Sequence, residues 1–128
     1  MSKLGFAGKF PGGKGHVEVK LSLLKFKEDG IVFIYSPSLD LTGYGRDGRS
    51  AKRSFEVTME EFVNYTTHKG TLEKELKRLG WKVGGSKRAP KFQQPYLDEL
   101  FKVRPYLAEI FREKEFQRYD EEVMFPAA

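Results

Sequence analysis

From His16 the chain alternates. Val17, Val19, Leu21 and Leu23 take one side of an extended segment, and Glu18, Lys20 and Ser22 take the other. This period predicts a strand running to about Lys27, with the pair Leu23-Leu24 blurring the alternation near its end. Glu28-Asp29-Gly30 is a turn of the kind that closes a hairpin. Ile31 to Tyr35 is apolar throughout, which predicts a second strand that is central and covered. Pro37 then breaks the ladder, because it has no N–H to donate. Asp40 to Arg46 reads as a third strand, in which Gly43 and Gly45 mark a bulge or a close backbone approach.

Next the period changes. Ala51, Phe55, Met59, Phe62 and Thr66 recur at three- and four-residue steps and predict one buried stripe on a helix from about Gly48 to Thr67. Asp47 or Ser50 can cap its start, and Gly70 follows its end after His68 and Lys69. A second helix begins at Thr71, with Leu72, Leu76 and Leu79 as its apolar face and Gly80 as its stop. Trp81-Lys82-Val83 fits a short fourth strand.

The rest of the chain is less regular. Residues 1–15 have no period and read as a flexible Gly/Lys-rich lead, with Phe6 and Phe10 available to dock on the body. Residues 84–95 are basic and marked by Gly and Pro, which reads as a linker. Leu97, Leu100 and Phe101 give a helical turn or two, and Pro105 either ends that helix or opens another. Tyr106, Leu107, Ile110 and Phe111 continue the apolar face, and Arg118 to Phe125 reads as a last strand. Hairpin-linked strands followed by helices predict an α+β class. The expected sheet is small and antiparallel, of three or four strands, with helices on one face. A ββ-β-α core at 16–83 carries a C-terminal helical extension at 96–128, which packs on the same domain or on a partner.

Composition narrows the chemistry. With no Cys and 2 His among 128 residues, thiolate nucleophiles, disulfides and Cys- or His-rich metal sites are excluded. No apolar run reaches membrane-spanning length, and a soluble cytoplasmic protein with no membrane partner is the expectation. The net charge of +5 is uneven: residues 1–95 hold 18 Lys/Arg against 10 Asp/Glu, or +8, and residues 96–128 hold 5 against 8, or −3. Such asymmetry can mark an acidic segment that covers a basic face.

No motif specifies a reaction. Gly8 to Lys14 has phosphate-loop spacing, but Gly15 stands where the magnesium-binding hydroxyl belongs, and a strand follows instead of a helix. Asp29, Asp40, Asp47 and Glu56 lie in or near turns, strands and the first helix, where turn and cap duty is the expected role. His16 and His68 have no nucleophile in a suitable setting. The expectation is therefore a protein that is not an enzyme, with no catalytic residue, cofactor or metal. One binding alternative stands on charge: Arg46, Arg49, Lys52 and Arg53 around the start of the first helix, with Lys77 and Arg78 on the second, form basic faces suited to nucleic-acid phosphates.

The stretch Ile31 to Thr67 resembles the HicB-like antitoxin family, with Tyr35, Pro37, Leu39, Gly43, Gly45 and Ala51 followed by the helix through Phe55 and Phe62. Thr71 to Trp81 is similar to a segment that follows the core helix in some members. The resemblance implies a three-stranded sheet with a packed helix, homodimers or higher oligomers, and a HicA-type toxin as partner. Such a toxin is a small basic ribonuclease, neutralised by covering its active surface. Arg49-Ser50 replaces the acidic pair common before the helix Ala, and residues 96–128 show no DNA-binding helix pair, which leaves operator DNA open as a partner. On this reading Tyr106, Phe111, Phe116 and Tyr119 anchor an acidic C-terminal segment on the toxin. Glu113, Glu115, Glu121 and Glu122 then face its Lys and Arg residues.

Overall fold

In a computed structural model, residues 16–85 and 90–126 are described. The lead 1–15, with Phe6, Phe10 and the Gly8 to Lys14 run, lies outside the described residues, as does the tip of the segment read as a linker. The elements are β1 (His16–Glu28), β2 (Ile31–Ser36), β3 (Leu41–Gly45), α1 (Gly48–His68), α2 (Leu72–Arg78), β4 (Lys82–Gly85), β5 (Pro90–Gln93), α3 (Leu97–Val103), α4 (Pro105–Glu113) and β6 (Phe116–Pro126). The fold class is α+β, built on a four-stranded antiparallel sheet in the order β3-β2-β1-β6.

Local chemistry accounts for the joints. Asp29 and Gly30 have φ of 52° and 78°, the two positive values a two-residue hairpin turn requires, so Glu28 pairs directly with Ile31. Asp47 caps α1 by accepting from the Ser50 N–H at 2.8 Å, and Ser50 Oγ returns the bond to the Asp47 backbone. The end of α1 closes when the Gly70 N–H bonds the Thr67 carbonyl and the Thr71 N–H bonds the Thr66 carbonyl. Gly80 and Trp81 repeat that pattern after α2. Pro105 is the opening residue of α4, not the end of α3's neighbour loop.

Helices cover both faces of the sheet rather than one. Val19, Leu21 and Leu23 of β1, Val32 and Ile34 of β2, and Val123 and Phe125 of β6 pack against Phe55, Met59 and Val63 of α1, with Leu76 and Trp81 beyond. On the other face Leu24, Phe26 and Tyr35 pack against Leu100 of α3 and Leu107 and Ile110 of α4. The reason is in the strands: β2 is apolar in both registers, and Leu23-Leu24 presents a large side chain to each side, so a single helical layer would leave one set in water. α1 approaches β3 closely. A Cβ on Gly43 would stand 2.3 Å from the Phe55 backbone nitrogen, so this position accepts no side chain. The Tyr44 N–H donates to Ser54 Oγ at 3.1 Å, so α1 also satisfies part of the outer edge of β3.

The linker expectation is corrected. The segment read as a linker is a hairpin, with Val83 of β4 opposite Phe92 of β5, and Phe92 packs edge-on against Phe125. Gly and Pro flank these short strands, which hid them. The C-terminal segment is part of the same domain: β6 runs antiparallel to β1 from Phe116 opposite Phe26 to Pro126 opposite His16. The turn after β2 is clamped from a distance. Trp81 Nε1 donates to the Ser38 carbonyl at 2.8 Å, while Arg104 donates to the Pro37 and Leu79 carbonyls at 3.1 and 3.0 Å.

Candidate functional site

The inward side of β1 changes character midway. After Val19, Leu21 and Leu23, the same side continues with Lys25 and Lys27, which stand opposite Ile34 and Val32. α1 does not close over this part of the sheet, and the result is a cleft of about 610 Å³. Its floor is Lys25 and Ile34 with Gln117, Tyr119 and Glu121 of β6, and its wall is Gly48 and Lys52 in the first turns of α1. Arg118 stands at the β6 rim.

The charges here are set by register. Lys25 faces Gln117 across the β1–β6 ladder, and Leu21 faces Glu121. Glu121 is only 7% exposed and meets Lys52 Nζ at 3.5 Å. Half-buried Lys25 makes no ion pair among the described residues. Its Nζ lies about 3.0 Å from the position a Gly48 Cβ would take, beside the N-terminal end of a 21-residue helix with no acidic side chain in its first turn. A cation at that end of a helix is disfavoured by the aligned peptide dipoles. Tyr119 is half-buried on the same floor, where burial, with the Glu121 carboxylate beside it, pushes its phenol up to about 12.

A second groove of about 410 Å³ opens on the opposite face, between β1 and the β5–α3 loop. Several of its polar groups are already engaged within the chain. The Gln94 amide donates to the Lys20 carbonyl, Gln93 Nε2 to the Tyr96 hydroxyl at 3.0 Å, and Ser22 Oγ to Asp120 at 3.2 Å.

The residues proposed for nucleic acid separate into two groups. Arg46, Arg49 and Arg53 are exposed around the start of α1, beside Lys52 and the cleft. Lys77 and Arg78 lie apart on α2 and are held by its own acids, Glu73 at 3.2 Å and Glu75 at 2.9 Å. That half of the basic surface is thereby neutralised.

The residues proposed to anchor a partner are largely consumed by the fold. Tyr106 packs edge-on against Tyr35 and Phe26, and Phe111 sits between Phe101 and Phe116. Phe116 ends an aromatic row that crosses every strand of the sheet at one register, from Tyr44 through Phe33 and Phe26. Tyr119 and Glu121 line the cleft. Glu113 and Glu115 remain exposed on α4 and before β6, with Asp120 exposed and Glu122 half-buried further along the strand.

The remaining candidates are structural. Asp40 accepts from the Tyr35 hydroxyl at 2.8 Å, Asp29 makes the hairpin turn, and the hydrogen bonds from Ser50 hold the Asp47 carboxyl below its ordinary range. His68 Nδ1 is 2.9 Å from the Asn64 carbonyl. Among the described residues, no three His, Asp or Glu side chains gather as a metal site, and no helix is long and apolar enough to cross a membrane. No family model, curated protein or solved structure matches this chain.

The sequence pattern missed Lys25 and Gln117. A signal for the first was present, since two lysines replace the apolar series on one side of β1. Gln117 joins it only through strand pairing.

Proposed function

We propose that this chain is a HicB-like antitoxin that binds a small basic ribonuclease of the HicA type and blocks it without chemistry of its own. The observation that supports this reading is the meeting of most of the resembling residues at one contact. Gly43 and Gly45 of β3 are the positions that admit α1, Ala51 and Phe55 are the helix residues that fill the space, and Leu39 is buried in the same core, while Tyr35 is buried on the opposite face of the sheet. Those residue types are what a strand–turn–strand–helix unit of this kind needs.

The mode of blockade differs from a flexible arm. Residues 96–126 are built into the sheet and its helical cover, so the acidic surface is a fixed rim made by Glu113, Glu115, Asp120 and Glu122. A rim of preset geometry loses little conformational freedom on binding and steers a basic partner toward itself. The test is inhibition of a HicA-type ribonuclease from the same genome by the purified full chain. Stoichiometric inhibition is expected, weakened at least tenfold when Glu113, Glu115 and Asp120 are together changed to Lys. Full ribonuclease activity at excess of the chain would end the antitoxin reading.

A second reading is favoured by Arg46, Arg49 and Arg53, which leave one end of α1 strongly basic. On this reading the chain binds RNA or DNA through phosphates, with an affinity that falls steeply as salt is added.

A further inference from the structure

We infer that the cleft between α1 and the β1–β6 floor is a binding site for a phosphate monoester on a nucleotide-sized group, with the phosphate held by Lys25 and Lys52. This does not rest on the antitoxin reading. The first observation is an unbalanced charge. Lys25 is half-buried, faces a cavity, makes no ion pair among the described residues and points at the positive end of α1. A lysine taken partly out of water normally brings a counter-charge with it. Here the strand places it on the helix-facing side, where the residues four and two positions earlier, Leu21 and Leu23, belong to the core. An anion in the cleft supplies the missing partner, and Lys52 on the wall, whose ammonium also meets Glu121 at 3.5 Å, is shared between that carboxylate and the anion.

The second observation is shape and composition. About 610 Å³ is far more than a bare phosphate fills and lies within the range of small-molecule sites. The part of the floor beyond Lys25 is Gln117, whose amide both donates and accepts, and the half-buried ring of Tyr119. A flat ring with a hydrogen-bonding edge suits that floor, and a phosphate carried on a sugar that bears such a ring is a nucleotide. Among the described residues Glu121 is the only acid lining the cleft, and one carboxylate already paired with Lys52 is a poor divalent-cation site.

The proposal is tested by calorimetric titration of the full chain at low salt. The probes are adenosine monophosphate, inorganic phosphate, and one short RNA oligonucleotide with and without a 5′-phosphate. Adenosine monophosphate and the phosphorylated oligonucleotide should bind at one per chain, and inorganic phosphate should compete. Lys25→Gln should weaken binding at least tenfold, Lys25→Arg should retain most of it, and Lys74→Gln on α2 should leave it unchanged. Thermal melts of each variant verify that it is folded. Equal affinity for the mononucleotide and the phosphorylated oligonucleotide assigns a free nucleotide; tighter binding of the oligonucleotide assigns an RNA end. The inference is overturned if no probe binds, if the unphosphorylated oligonucleotide binds equally well, or if folded Lys25→Gln binds like the parent chain.

Discussion

The two faces of the sheet are made by the same four strands and end differently. Under α3 and α4, Phe26, Tyr35 and Leu24 meet Leu100, Leu107 and Ile110, and the aromatic row passes from buried Phe26 to Tyr44, which is 63% exposed. Under α1 a continuous core fills one half, and lysines interrupt it in the other. The difference teaches that the inward pattern of a strand decides more than its cover. Where both registers are apolar, a second helical layer is recruited; where Lys25 and Lys27 replace core residues, α1 leaves the sheet open as a cleft.

The largest effect should come from the close crossing of α1 and β3. Gly43→Val puts a side chain into the Phe55 backbone and should cost more than about 4 kcal/mol or prevent folding. Phe55→Ala, measured by denaturant titration, should cost about 3–5 kcal/mol. On the opposite face, Ile110→Ala should cost about 2–5 kcal/mol. It should lower a single cooperative transition, because β6 ties that face to β1. A separate early melting step in this variant would show the C-terminal segment to be an appendage, and the symmetry between the faces would fail.

Smaller effects sharpen the contrast at the cleft. Lys25→Met removes an unbalanced charge, so the melting temperature should hold or rise, by up to about 1 kcal/mol of added stability. Such a gain alongside lost binding is the mark of a position kept for function. The tyrosines give a pH signature. Burial raises both Tyr119 and Tyr35 above the ordinary 10.0, Tyr119 to about 12. The unfolded chain therefore releases these protons first. Their contribution is intact below pH 10 and is lost as pH rises from there toward 12. Tyr119→Phe should flatten part of that alkaline loss in a stability profile. The smallest change is expected at Lys77→Ala and Arg78→Ala, each within about 0.5 kcal/mol, because both pairs are exposed on one helix.

Much of the fold was legible because it is local. The period change at α1, the Asp29-Gly30 turn and the glycines after each early helix all act within a few residues. The second helical layer was also written in the chain, in the all-apolar run of β2 and the Leu23-Leu24 pair, but periodicity alone does not say what covers a strand. The β4–β5 hairpin was hidden by its short strands and flanking Gly and Pro. The clamps from Trp81 and Arg104 onto the turn after β2, and the meeting of Lys25 with Gln117 and Tyr119, depend on pairing between distant segments. No local pattern encodes that register. Tyr106, Phe111 and Phe116, expected as anchors on a toxin, pack instead within the chain, Tyr106 on Tyr35 and Phe26, and Phe111 on Phe101 and Phe116.

In the proposed function, a fixed acidic rim on α4 and β6, and not the basic end of α1, receives a ribonuclease. The most direct measurement is backbone NMR of the full chain titrated with an inactive HicA-type ribonuclease from the same genome. Shifts are expected to concentrate at Glu113, Glu115, Asp120 and Glu122, with Lys25, Arg49 and Arg53 unmoved. Shifts centred on Arg46 to Arg53, or none at saturating ribonuclease, would contradict it.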